Sequence, residues 1–222
     1  KPVKSGCKYY KKGRKIMKII NLLSTAVLIT LLSLFGVAHA QKSGGTMVFL
    51  VQPEPPTMAG YVSTSGPIGL LAPKIYEGLF DYDTAGKMIP VLAESYEMSA
   101  DGKTVTFKLR KGVSWHDGKP FTSADVQFSI MNVLKEVHPR GPNSFKEVSS
   151  IDTPDSHTAV FNLDNPAPYM MRAFSAYESP MVPKHHLEGQ DLKGAKLGNN
   201  PVGTGPYKFV EWKKGQYIRL DK

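Results

Sequence analysis

The chain has 222 residues, 41% of them hydrophobic, with 28 Lys and Arg against 19 Asp and Glu and a formal charge of +9. Eight of the basic residues and none of the acidic ones lie in residues 1–40, which leaves 20 basic against 19 acidic residues from Gln41 onward. A nucleic-acid-binding surface keeps its basic excess in the folded part, so this distribution excludes that class of partner.

Residues 17–40 read as a secretory signal peptide. Met17-Lys18 is followed by a mostly apolar run over residues 19–35 and then by Ala38-His39-Ala40, the small-residue pattern that signal peptidase cleaves. Cleavage is expected before Gln41. A permanent membrane anchor fits less well, because the run is short and Asn21, Ser24, Thr25 and Thr30 interrupt it. Residues 1–16 form an upstream extension. The single cysteine, Cys7, lies in it, so the exported part has no disulfide, thiolate nucleophile or cysteine metal site. No Cys follows the apolar run for a lipid anchor, and the expected location is the periplasm.

Residues 41–222 are enough for a sizeable core. In chain order, 47–51 reads as a strand and 52–66, rich in Pro, Ser, Thr and Gly, as a loop. Residues 68–79 read as a helix despite Pro73, and 81–86 as a turn. Asp101-Gly102 turns the chain into residues 104–109, where Val105, Phe107 and Leu109 alternate with Thr104, Thr106 and Lys108 as in a half-buried strand. Asp117-Gly118 turns it again. Thr122 and Asp125 form a helix start, and Val126, Ile130, Val133 and Leu134 give that helix one apolar face. Residues 157–163 read as a strand, and 169–174, after Pro168, as a short helix. Residues 207–212 and 217–220, around Lys213-Lys214-Gly215, read as a hairpin. Mixed strands and helices indicate an α/β domain.

Catalytic motifs find no support. His116 and Asp117 are adjacent in Trp115-His116-Asp117-Gly118, so on a strand they point apart, and a turn is the better reading. His185-His186 lacks the spacing and the further ligands of a zinc site; it reads as a loop or helix start. Gly203-Thr204-Gly205-Pro206 lacks the Lys and the following helix of a phosphate loop and reads as a tight turn. No GxSxG elbow occurs. The expectation is no enzyme activity, no metal and no cofactor.

Polar and aromatic loops are the better candidates for a ligand. Tyr61, Ser63, Thr64 and Ser65 precede a helix, where hydroxyls and backbone amides can receive a carboxylate or carbonyl; capping of that helix is the competing reading. Asn143, Ser144 and Phe145 form a second candidate, and Tyr177 and Glu178 a third. The aromatic rings offer apolar area and the polar groups orientation. An ordinary surface loop is the alternative for each. Arg140 either pairs a ligand carboxylate or is solvated.

Three ordered strings carry a family resemblance: LAESY (92–96), SADGKTVTFKLRKGVSWHDGKPFTSADVQFS (99–129) and PVGTGPYKFVEWKKGQYIRL (201–220). They resemble the family 5 solute-binding proteins of ABC importers, the peptide, dipeptide and nickel-binding group. The resemblance implies a type II periplasmic binding protein-like α/β fold, with mixed sheets and flanking helices, and a monomer. It implies that residues 41–79 begin one lobe, that 80–184 form an inserted second domain, and that 185–222 return to the first lobe. The family's opposing lobe would then be absent, an incomplete two-lobed architecture in an N-terminal fragment that does not bind ligand tightly alone. It implies capture of a small peptide or similar polar solute and delivery to an inner-membrane ABC permease. It also places the loop at 61–66 on the cleft. Some oligopeptide binders carry an acid there; this chain has Thr64 and Ser65. A secreted hydrolase, or a periplasmic sensor or chaperone on the same fold, are the alternatives.

Overall fold

A computed structural model describes residues 44–194 and 198–222. The expected signal peptide, residues 17–40, and the upstream extension lie outside the described residues. The chain divides into two units, 1–49 and 50–222, and the second carries all the described helices and strands.

Helix α1, Gly66–Ile75, starts on Gly66-Pro67, where a proline costs no hydrogen bond, and buries Ile68, Ala72 and Ile75. It was expected to reach residue 79 and stops four residues earlier. Pro73 lacks the N–H that would reach the Gly69 carbonyl, and the helix ends within a turn of it. The last carbonyls do not continue the helix. Ile75 O accepts the Gly205 N–H at 2.8 Å and Lys74 O accepts the Tyr207 N–H at 2.9 Å. The Gly203-Thr204-Gly205-Pro206 turn therefore seals the end of α1. A Cβ on Gly203 would meet the Ile75 carbonyl oxygen, which is why a glycine stands there.

The expected turn at 81–86 is the tip of a small hairpin, β1 (Phe80–Tyr82) paired with β2 (Met88–Pro90). Next come β3 (Ala93–Met98) and β4 (Thr104–Leu109), and further on β5 (Val148–Asp155) and β6 (Thr158–Leu163). They form one antiparallel sheet in the order β3-β4-β6-β5. In β4 the alternation expected from sequence holds: Val105, Phe107 and Leu109 are buried, and Lys108 is exposed. Phe107 sits at the centre, 4.8 Å from the Phe161 ring and 4.9 Å from that of Phe174. Each such buried ring contributes roughly 1.5–3 kcal/mol.

Helix α2, Ser123–Phe128, packs on this sheet and runs on as a wider π-helical stretch, Ser129–Leu134, then as α3, Lys135–Val137. The Thr122 N–H donates to Asp125 Oδ2 at 2.8 Å, the reciprocal contact of a capped helix start. At the α2–π junction the Ser129 hydroxyl donates to the Asp125 carbonyl at 2.6 Å, competing with the backbone for that acceptor. Val126, Ile130, Val133 and Leu134 are all buried, as their spacing predicted. A short helix α4, Gly141–Ser144, follows. The helix expected over 169–174 is a 3-10 turn, Pro168–Ala173. Helix α5, Lys184–Leu187, contains His185-His186. Strands β7 (Lys208–Lys213) and β8 (Tyr217–Asp221) form the expected hairpin, its Phe209, Trp212, Ile218 and Leu220 turned toward the core.

Residues 47–51 form no strand pairing among the described residues, and Met47, Val48 and Leu50 are exposed, so their apolar pattern was misread as a strand. Every strand pair among the described residues is antiparallel. No described helix is long and apolar enough to cross a membrane.

Candidate functional site

Residues from three distant stretches meet beside the N-terminus of α1. The Tyr177 hydroxyl donates to the Thr64 carbonyl at 2.6 Å. The Tyr177 ring lies against Gly69 on α1, where a Cβ would stand 2.7 Å from the ring edge. The Arg140 guanidinium sits over the same ring, 4.7 Å from its centroid, a cation–π arrangement. Arg140 Nε is 2.9 Å from Glu178 Oε2. Its N–H does not point at that oxygen, so the pair is ionic rather than hydrogen-bonded, and neither Nε nor the shielded Nη2 has a hydrogen-bond partner. Thr64 and the pair Tyr177-Glu178, expected from sequence on two separate loops, thus stand together with Arg140.

The remaining candidates divide. Ser63 Oγ accepts the Ser65 N–H at 3.3 Å, which shapes the loop. Ser65 occupies the capping position of α1 but its side chain makes no capping bond, and its buried hydroxyl has no partner. Asn143 is exposed and Ser144 half-buried; their N–H groups donate to the Arg140 carbonyl, which places both on the turn that carries the guanidinium. Phe145 is fully buried, its ring 5.6 Å from that of Phe174, so its apolar area goes to the core and not to solvent. Tyr61 is also buried, edge-on to Tyr76 at 6.5 Å. Its unpaired hydroxyl borders a cavity of about 10 Å³ with His186 and Asn200. Burial pushes the Tyr61 phenol far above its ordinary pKa.

The other singled-out motifs are structural clamps. His116 Nδ1 accepts the Gly203 N–H at 3.3 Å, so its proton sits on Nε2, which donates to the Gly205 carbonyl at 2.8 Å. Asp117 points elsewhere, 2.7 Å from His185 Nε2. Burial alone would raise the Asp117 carboxyl, but hydrogen bonds from His185 and the Lys119 N–H outweigh it and hold it below the usual range. Sequence reasoning missed this pair, because its partners lie far apart in the chain. A second unforeseen clamp joins α2 to the segment before α5. Ser129 Oγ accepts the Val182 N–H at 2.9 Å, and Asp125 Oδ1 accepts the Lys184 N–H at 2.9 Å. An open hollow of about 310 Å³ lies beside α5, bordered by Lys119, Asp125, His185 and Glu188. Among the described residues no group of three His, Cys, Asp or Glu side chains is placed to hold a metal.

The model of the bacterial extracellular solute-binding proteins, family 5, matches residues 87–222, more than half of the chain. The chain belongs to this family. The glutathione-binding protein GsiB of Pectobacterium atrosepticum is 34% identical over 158 residues, 68% of this chain and 29% of its own length. Among solved structures, NikZ of Campylobacter jejuni in complex with Ni(L-His) shares 32% identity with a TM-score of 0.68, over 77% of this chain and 34% of its own. The oligopeptide-binding protein AppA of Bacillus subtilis, in complex with a nonapeptide, shares 29% identity with a TM-score of 0.64, over 76% of this chain and 34% of its own. The fold is that of the type II periplasmic binding proteins, as the family 5 resemblance implied. The chain spans about a third of the length of these relatives. They are transport binding proteins, not enzymes.

Proposed function

We propose that the chain forms one side of the ligand cleft in the solute-binding component of an ABC importer. The protein reaches the periplasm by a cleavable signal peptide at residues 17–40. It captures a small peptide or similar polar solute as a monomer, hands it to an inner-membrane permease, and catalyses no reaction. Residues 41–79 and 185–222 belong to one lobe and 80–184 to an inserted domain; the opposing lobe belongs to the length of the relatives that this chain does not span. The bonds from Gly205 and Tyr207 to the end of α1 support the first assignment, and the self-contained sheet β3-β4-β6-β5 supports the second.

The observation that carries the proposal is the meeting of Thr64, Arg140, Tyr177 and Glu178 within a fold shared with binding proteins. The exposed part of the Arg140 guanidinium suits a ligand carboxylate, and the neighbouring Glu178 carboxylate suits an amino group. Both charges recur on any short peptide. Ser63, Asn143 and Ser144 are further polar candidates on the same loops, whereas Tyr61, Phe145 and the Ser65 hydroxyl are buried. Glutathione is the first ligand to test, given the relatives named for it.

The test is calorimetric titration of the full-length protein, opposing lobe included, with glutathione, dipeptides and tripeptides, backed by thermal denaturation. A ligand at a hundred times its Kd stabilises the folded state by about 2.7 kcal/mol. Binding of at least one of these, lost on Arg140→Ala, is the expected result. Saturable binding that Arg140→Ala and Tyr177→Ala leave untouched would move the site elsewhere, and no binding by any of them would remove the peptide reading.

A further inference from the structure

Arg140 is held by more than its two visible partners. It lies in the turn His138-Pro139-Arg140-Gly141, between α3 and α4. His138 is buried, with 2% of its surface exposed. Its Nδ1 accepts the Gly141 N–H at 3.1 Å and the Arg140 N–H at 3.3 Å. A ring nitrogen that accepts carries no proton, so the imidazole is neutral with its hydrogen on Nε2. That N–H is buried and has no partner. The turn is pressed from its other side as well, since a Cβ on Gly141 would meet the Leu134 carbonyl oxygen at the end of the π-helical stretch. The backbone of Arg140 is thus fixed on an imidazole buried away from solvent. The guanidinium it carries reaches Tyr177 and Glu178, and Tyr177 reaches Thr64.

We propose that His138 is the positioning residue of the site: as a neutral acceptor it fixes the backbone of Arg140, and through the Arg140–Tyr177 stack it sets the polar edge that meets the solute. This inference rests on the solute-binding reading of the site. A buried polar atom left without a partner is costly, yet His138 keeps one. Leucine would fill the space without that penalty, so the acceptor function of Nδ1 is what distinguishes histidine there. Burial, with the charge of Arg140 adding to it, lowers the pKa of the imidazole to about 4, which keeps it neutral at any pH near 7.

The experiment uses the whole chain, without ligand first. Nitrogen-15 NMR of the wild type reads the His138 tautomer, and the Arg140 Nε–H signal reports the guanidinium through its exchange with water and its ring-current shift from Tyr177. We expect the Nε2–H tautomer in the wild type. His138→Asn, whose side-chain oxygen can accept the same N–H groups, keeps the Arg140 signal shifted and protected. His138→Leu loses both. In the full-length protein, opposing lobe included, glutathione affinity then falls by about tenfold in the leucine variant, the weight of one charge-assisted hydrogen bond, and recovers in the asparagine variant. A proton on Nδ1 in the wild type overturns the inference, and does so even if the leucine variant fails to fold. An unchanged Arg140 signal in His138→Leu overturns it too. If the Arg140 signal is lost while glutathione affinity stays the same, the positioning stands and the peptide reading of the site falls.

Discussion

The Tyr177 hydroxyl donates a 2.6 Å hydrogen bond to the carbonyl of Thr64, across 113 positions of sequence. It fastens the loop before α1 to the stretch that supplies Glu178. Tyr177→Phe removes only the oxygen and leaves the Thr64 carbonyl without this donor. A stability loss of about 1 kcal/mol is expected, and more if water cannot replace the hydroxyl. Urea denaturation measures it. Glutathione affinity, measured by calorimetry, should fall in the same variant.

Gly203→Ala should be among the most damaging single changes in the chain. The added methyl would overlap the Ile75 carbonyl oxygen, and backbone cannot give way as a side chain can. A loss of more than about 3 kcal/mol is expected, seen as a large drop in Tm. Gly66→Ala is the matched control. Nothing lies near its Cβ position, and alanine favours the helix by up to about 1 kcal/mol, so stability should hold or rise slightly.

Ser129→Ala tests the clamp between α2 and the segment before α5. The hydroxyl donates to the Asp125 carbonyl and accepts the Val182 N–H, all of it buried. Alanine orphans that N–H, at a cost of roughly 1–3 kcal/mol. Thermal unfolding of the variant beside the wild type gives the value. A change below a few tenths of a kcal/mol would show that Asp125 alone holds the segment.

His138 predicts an acid-sensitive fold. Its folded pKa, about 4, lies below the ordinary 6.5, so between these values the unfolded chain binds more protons than the native one. Stability from this residue is complete above about pH 6.5 and is lost as the pH falls toward 4, up to roughly 3 kcal/mol in all. Chemical denaturation at a series of pH values measures the slope. His138→Asn should flatten it across that window, and an unchanged slope would show that His138 is not the group that titrates there.

Local patterns were legible, and long-range ones were not. The alternation in β4 and the apolar face over Val126, Ile130, Val133 and Leu134 show directly in sequence, because period and burial are the same fact. Strands β3 and β5 went unread. Their outward positions crowd polar residues, and only pairing with β4 and β6 makes strands of them. Thr64 and the pair Tyr177-Glu178 read from sequence as two separate loops, since composition marks a polar loop but not its neighbour. Phe145 was named with them because an aromatic residue beside Asn and Ser reads alike whether its ring turns outward or, as it does, inward onto Phe174. His138 gave no signal: nothing in its sequence surroundings distinguishes a buried imidazole from a solvated one.

The sealing of α1 by Gly205 and Tyr207 has a consequence for the order in which the molecule can assemble. The carbonyls of Lys74 and Ile75 wait for partners about 130 positions further along the chain. While the polypeptide is still being made, that helix end has only water to bond, and the apolar side of the helix lacks the turn that closes over it. Contacts of such wide sequence separation form late and slow the search for the native state. A chain built this way stays unfolded for longer than one whose helices are completed by their neighbours.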